Sequence, residues 1–104
     1  MPDDTTHRPF VVIAEFKVKE GQMPAFLKLA RDDAEHSVAD EPGCRQFDVV
    51  VPDDGDTVVF YEVYDGRPAF DAHCETAHFA RFRDGFPALV SERREPRFLS
   101  RHFP

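Results

Sequence analysis

FYEVYDGRPAFDAHCETAHFARF, residues 60–82, is the stretch that decides the fold. Its first part alternates. Phe60, Glu62 and Tyr64 share one parity and Tyr61 and Val63 the other, which is the two-residue period of a strand. Its second part changes period. Asp65 stands where a helix cap belongs and Pro68 where a first-turn proline does, so a helix starts at about Arg67. Thr76 can cap a second helical piece. The spacing therefore predicts a helix broken near Glu75 to Ala77 and ending around Gly85 to Pro87, with room for a helical tail to Val90.

Upstream, FVVIAEFKV (10–18) alternates as a strand, with Phe10, Val12, Ala14, Phe16 and Val18 on one face. Gly21 can take a positive φ in the turn that follows, and Pro24 opens a helix from Met23 to about Ala39. Its apolar stripe reads as Phe26, Leu27, Leu29, Ala30, Ala34 and Val38, against Lys28, Arg31, Asp32 and Glu35. DEPG (40–43) breaks that helix. CRQFDVVVP (44–52) is a second strand with Phe47, Val49 and Val51 on one face. DDGD (53–56) is a hairpin turn into a third strand, Thr57–Asp65. Downstream, Arg93–Phe103 reads as a late strand whose Pro96 suits a sheet edge or an exchanged strand.

The order is β-α-β-β-α-β, an α+β ferredoxin-like arrangement of antiparallel sheet with two helices on one face. Residues 1–8 read as a frayed polar tail and 9–104 as a single domain. Val11 and Ile13 are as apolar as Val12 and Ala14, so the second sheet face needs a cover too. Two copies packed sheet against sheet would supply it, and a homodimer is expected.

At 104 residues the chain is sized for one domain, and its formal charge of −7 argues against a nucleic-acid partner. MPDDTTHRPF has no basic start followed by an apolar run, and no apolar stretch nears the ~20 residues that span a bilayer, so a cytoplasmic protein with no membrane partner is expected. Cys44 and Cys74 match no metal or redox spacing and read as free thiols.

Chemistry is concentrated in the opening stretch. Glu62 between aromatic neighbours on an apolar strand is either an edge residue with a structural partner or a pocket carboxylate. His73 and His78 lie five residues apart, about 140° apart on an unbroken helix, which argues against one shared metal; no metal site is expected. Either imidazole can still move a proton near neutral pH, or simply make a structural hydrogen bond. Phe70, Phe79, Phe82 and Phe86 are core residues by helical spacing, and would line a cavity for a flat organic ligand if one exists; Phe60 and Tyr64, flanking Glu62 on the strand, are candidate substrate contacts with Phe70, Phe79 and Phe82. His7, His36 and His102 read as surface residues. Dinucleotide, triphosphate and serine-hydrolase signatures are missing.

FVVIAEFKVKEG, EPGC, the hairpin and then F-Y-E-V-Y with AF-x-x-H-x-x-T-x-HF (Phe60–Tyr64; Ala69, Phe70, His73, Thr76, His78, Phe79) resemble the antibiotic biosynthesis monooxygenase domain over residues 9–103. That resemblance implies a dimeric α+β barrel with a cavity between sheet and helices in each protomer, and a C-terminal strand that reaches towards the partner. It implies a cofactor-independent monooxygenase acting on a small phenol or quinol with O₂, with His73, His78 and Glu62 as catalytic residues. Haem-degrading relatives carry Asn, Trp and His where Ala14, His73 and Phe82 stand here, and the polyketide oxidases often carry a cavity Trp. HxxTxHF is closer to the quinol monooxygenase and signal-isomerase branches. An isomerase of a small phosphorylated metabolite, served by cations such as Lys28, Arg31, Arg67 or Arg81, and a non-catalytic small-molecule-binding dimer remain the alternatives.

Overall fold

The computed structural model describes residues 8–103; His7 and all of the expected tail but Arg8 lie outside them. The elements are β1 (Phe10–Val18), α1 (Met23–Asp40), β2 (Cys44–Val50), β3 (Thr57–Tyr64), α2 (Arg67–His73), α3 (Ala77–Gly85), β4 (Val90–Arg93) and β5 (Arg97–Ser100), with a 3-10 turn at Phe86–Leu89 before β4. The β-α-β-β-α-β order holds, with the second helix and the last strand each in two pieces. The sheet runs β2-β3-β1-β4, and β5 continues along the same side of β1 as β4.

The central strand is β1. It pairs with β3 from Phe10↔Tyr64 to Lys17↔Thr57, with β4 at Phe16↔Arg93, and with β5 from Phe10↔Ser100 to Ile13↔Arg97, all antiparallel. The late strand is therefore an edge strand of its own sheet. Pro96 has no N–H to donate and stands in the gap between its halves, which Arg94 spans by donating its N–H to the Glu15 carbonyl at 3.1 Å. Val90 belongs to β4 rather than to a helical tail, because Pro87 interrupts the helical ladder and the chain turns through one 3-10 turn.

Pleating puts Val12, Ala14, Phe16, Val58 and Phe60 on one face, where they form the core with Phe26 and Ala30 of α1 and with Phe82 and Phe86. Phe16 is the hub. Its ring centroid lies 5.4 Å from that of Phe26, 5.0 Å from Phe60, 5.5 Å from Phe82 and 5.1 Å from Phe86, within the separations favoured by tilted and edge-on aromatic pairs. On the other face Val11 and Val63 are buried, Ile13, Val59 and Tyr61 are half-buried, and Leu99 and Val50 are exposed. No helix among the described residues is long and apolar enough to cross a membrane.

Three local expectations are corrected. The buried line of α1 is Phe26, Ala30, Asp33 and Ser37, while Val38 is half exposed, at 50%. These four recur at helical spacing, so the face is rotated from the most apolar stripe because polar groups are used beneath it. Asp65 does not cap α2; Gly66 occupies that position, and Asp65 instead pairs with Arg45 at 2.5 Å. Val51 lies beyond the end of β2 and is exposed. Thr76, by contrast, caps α3 as read, its hydroxyl accepting from the Phe79 N–H at 3.2 Å.

Phe26 is fully buried among Phe16, Phe60 and Phe82. Phe26→Ala is expected to cost about 3–5 kcal/mol through lost burial and the cavity left behind. Chemical denaturation of the variant beside the parent chain checks this, and a loss below about 1 kcal/mol contradicts the packing described.

Candidate active site

A cavity of about 210 Å³ lies between the helix-facing side of the sheet and the helices. Its sheet wall includes Val12, Ala14, Phe16 and Phe60, and its helix wall Phe70, Phe79, Phe82 and Phe86. Three buried polar side chains open into this aromatic lining: Asp33 from α1, Glu62 from β3 and His73 from the end of α2. Arg83, Arg93 and Pro96 complete it.

The break between α2 and α3 makes this grouping. An unbroken helix would turn His73 and His78 about 140° apart. Three residues, Cys74–Thr76, separate the two helices instead, and the Thr76 hydroxyl donates back to the His73 carbonyl at 2.7 Å. The two imidazole centroids then lie 5.8 Å apart. Both rings meet one atom. Glu41 Oε2 accepts from His73 Nδ1 at 2.8 Å and from His78 Nε2 at 2.5 Å.

This bond selects the His73 tautomer. A carboxylate oxygen only accepts, so Nδ1 carries the proton and, in the neutral ring, Nε2 keeps a lone pair. Burial pushes His73 below the usual histidine range, opposed by its bond to Glu41, and so favours that neutral ring. Nε2 stands 4.0 Å from Asp33 Oδ1, too far for a direct hydrogen bond. Ser37 Oγ lies 3.4 Å from Asp33 Oδ1, to which it donates, and 3.3 Å from His73 Nδ1, holding carboxyl and ring in one arrangement.

Glu62 has a different partner. The Tyr64 hydroxyl donates to its Oε1 at 2.6 Å. Burial lifts the Glu62 carboxyl to about 8, with the tyrosine bond pulling the other way. Burial lifts Asp33 to about 7, helped by the nearby Glu41. The Tyr64 phenol is pushed far above its ordinary range by burial and by Glu62. Two carboxyls poised near neutrality beside a neutral imidazole form a constellation suited to accepting and returning protons. Asp33, His73 and His78 also offer ligand atoms within 4.8 Å of one another, so the helix break removes the angular objection to a shared metal. Glu41 already takes one nitrogen of each ring.

Residues 9–85 match the family model for antibiotic biosynthesis monooxygenase. The chain belongs to the antibiotic biosynthesis monooxygenase family. It is similar to a solved antibiotic biosynthesis monooxygenase candidate from Nitrosomonas europaea, at 32% identity and a TM-score of 0.87 over 94% of each chain. It is similar as well to a solved Mycobacterium tuberculosis protein, at 27% identity and a TM-score of 0.85 over 92% of this chain and 97% of that one. An uncharacterized Synechocystis protein is 32% identical over 85 residues, which are 81% of this chain and 57% of that relative's length.

Within this family member, Phe60, Phe70, Phe79, Phe82, Glu62 and His73 all line the cavity. Tyr64 and His78 do not line it; they stand behind Glu62 and Glu41 respectively. Sequence reading missed Asp33, Ser37 and Glu41. The signal for the first two was helical spacing from Phe26 and Ala30 on the buried line of α1; Glu41 carries no comparable signal. The cations first singled out are elsewhere: Lys28 is exposed, and Arg31, Arg67 and Arg81 pair with Glu35, Asp71 and Asp32. His36 is exposed as read, although its ring stacks on His78 at 5.8 Å. His102 is exposed too, and both thiols are free.

The raised carboxyls set a pH dependence. A carboxyl whose folded pKa lies above its unfolded value of about 4 destabilises the fold increasingly as pH rises from the unfolded to the folded pKa. For Asp33 and Glu62 that window ends at about 7 and about 8. His73, lowered by burial, works in the opposite sense, but its contribution is complete above its unfolded value of about 6.5. Stability is therefore expected to fall between about pH 6.5 and 8.5, and Glu62→Gln to flatten the fall. Thermal melts across that range decide it; a parent curve that rises there contradicts the burial of these acids.

Proposed function

We propose that this family member is a cofactor-independent monooxygenase that oxidises a phenol or quinol of one aromatic ring with O₂. The observation that carries the reading is His73, which lines an aromatic cavity with its Nδ1 held by Glu41, so that Nε2 is the nitrogen left for a substrate. At about 210 Å³ the cavity is smaller than the ~300–1,000 Å³ of drug-sized sites, which favours a single ring over a polycycle.

The mechanism follows from that atom. A bound quinol gives a hydroxyl proton to His73 Nε2, and Glu41 stabilises the imidazolium through Nδ1. The phenolate is electron-rich enough to pass one electron to O₂, and the radical pair combines at a ring carbon. Loss of water then leaves a hydroxylated quinone. One oxygen atom enters the ring, the other leaves as water, and the substrate supplies all four electrons. Asp33 and Glu62, near neutrality, return protons to the departing oxygen. The rings of Phe79 and Phe82 keep water away from the intermediate. In this scheme His73 is the base, while Glu41 and His78 are positioning residues.

The family assignment and the monooxygenase candidate among the similar structures support oxygenation over isomerisation or simple binding. Oxygen consumption by metal-stripped protein with a series of hydroquinones tests it. Stoichiometric uptake is expected, reduced about 10²–10⁴-fold in His73→Ala and less in His78→Gln. No uptake across the series, or full uptake in His73→Ala, would sink the assignment.

We further propose that two copies pack sheet against sheet over the face that carries Ile13, Val59 and Tyr61. Val59→Lys is expected to shift the species seen by light scattering from dimer to monomer. A parent chain that is monomeric at all concentrations would exclude this packing.

A further inference from the structure

The cavity has two chemically different ends. Glu62 stands opposite Val12 in the sheet register and Arg93 opposite Phe16, four residues apart along β1 and so about 13 Å apart along the strand. Arg93 shares the register position and the face of Phe16, so it points to the cavity side of the sheet. The helix wall runs the same way. His78, near the start of α3, meets Glu41 at the acid–base end, while Arg83 lies near the helix end at Gly85. Aromatic rings occupy the space between.

Most guanidinium groups on this molecule are already engaged. Arg94 and Arg97 both reach Glu15, Arg45 holds Asp65, and Arg81 clasps Asp32 with two bonds. Arg83 pairs with its chain neighbour Asp84, at 3.0 Å, and among the described residues makes no other ion pair. Arg93 has no carboxylate partner among the described residues; its guanidinium lies over the Phe86 ring, 5.4 Å from the centroid. That ring holds the guanidinium without neutralising it and leaves its donors for a ligand.

We propose that Arg93 and Arg83 form an anion-binding mouth, and that the substrate is an aromatic ring carrying a carboxylate or phosphate on the side opposite its reacting hydroxyl, a statement that rests on the reading of the inner end given above. The planar guanidinium fork matches either anion through paired hydrogen bonds. A chain of formal charge −7 repels anions over most of its surface, so capture of one requires local cations of this kind. The inner end offers no substitute, since its polar groups are two carboxyls and a histidine. A ligand bound with its charge at the mouth is also bound in one direction, with the hydroxyl towards His73.

Calorimetric titration of the full chain with phenylacetate, phenyl phosphate and neutral phenylacetamide tests the mouth without turnover. Both anions are expected to bind at least about tenfold more tightly than the amide, a difference of ~1.4 kcal/mol. Arg93→Met should remove most of that preference, Arg93→Lys should restore part of it, and added salt should weaken it. Both side chains are exposed, so the fold tolerates the changes, and unchanged melting curves verify this. A phosphate probe bound more tightly than the carboxylate identifies the natural anion as phosphate, and the reverse order identifies a carboxylate. Equal binding of all three probes, no binding of the anions, or a preference that survives in the Arg83→Met/Arg93→Met double variant overturns the proposal. An Arg93-dependent preference in a protein that takes up no oxygen leaves the mouth standing and overturns the oxygenase reading alone.

Discussion

One carboxylate oxygen, Glu41 Oε2, holds the site together. Glu41 is the C-cap residue of α1, with its own N–H donating to the Ser37 carbonyl at 3.2 Å. The oxygen then accepts from the last residue of α2 and the second residue of α3. Three helices thus converge on a single acceptor. Gly43, two residues on, lets β2 begin against α2; a Cβ there would come within 2.5 Å of the Ala69 Cβ. Where α1 ends, where β2 starts and how α2 meets α3 are one geometric problem with one polar solution.

The arrangement costs the fold something. A domain of this size has a modest core, and burying Asp33, Glu62 and two imidazoles beneath it, with Glu41 half-buried beside them, replaces apolar contact with desolvated polar groups. The loss is limited because the described network is satisfied: no buried side-chain nitrogen or oxygen among the described residues lacks a partner. Tyr64 answers Glu62, Ser37 answers Asp33, and Glu41 answers both histidines. Around them the phenylalanines pack ring against ring. Rigid aromatic walls fix the polar groups more firmly than aliphatic chains with more rotamers would.

The fold was legible because its signals are local. Parity marked the strands, Asp-Gly the hairpin, and the Thr76 cap the split of the second helix. The half of the site on residues 60–82 was legible for the same reason, as Glu62 and His73 stand out among aromatics. The other half lies on α1, where Lys28, Arg31, Asp32 and Glu35 read as the solvated face. Asp33 is buried there because it lines the cavity, and Ser37 because it meets Asp33 and His73, a tertiary fact that an apolar stripe of Leu27, Leu29 and Val38 conceals. Glu41 was hidden in a helix break, since a residue between helix and strand carries no period. Arg93 looked like one arginine among many until the register placed it opposite Phe16.

The break at Cys74–Thr76 has a consequence for how this chain can diverge. Connections between helices ordinarily accept insertions and deletions, because the flanking elements need only keep their own packing. Here the number of residues sets the phase between His73 and His78 on one oxygen. Adding or removing one residue would change where α3 starts relative to α2, and with it the reach of His78 to Glu41. Cys74 and Glu75 are open to substitution, whereas the length of the segment is not. For a variant of this sequence that keeps the site, the hairpin at 53–56 is the connection free to change length, and the five-residue interval between the two histidines is not.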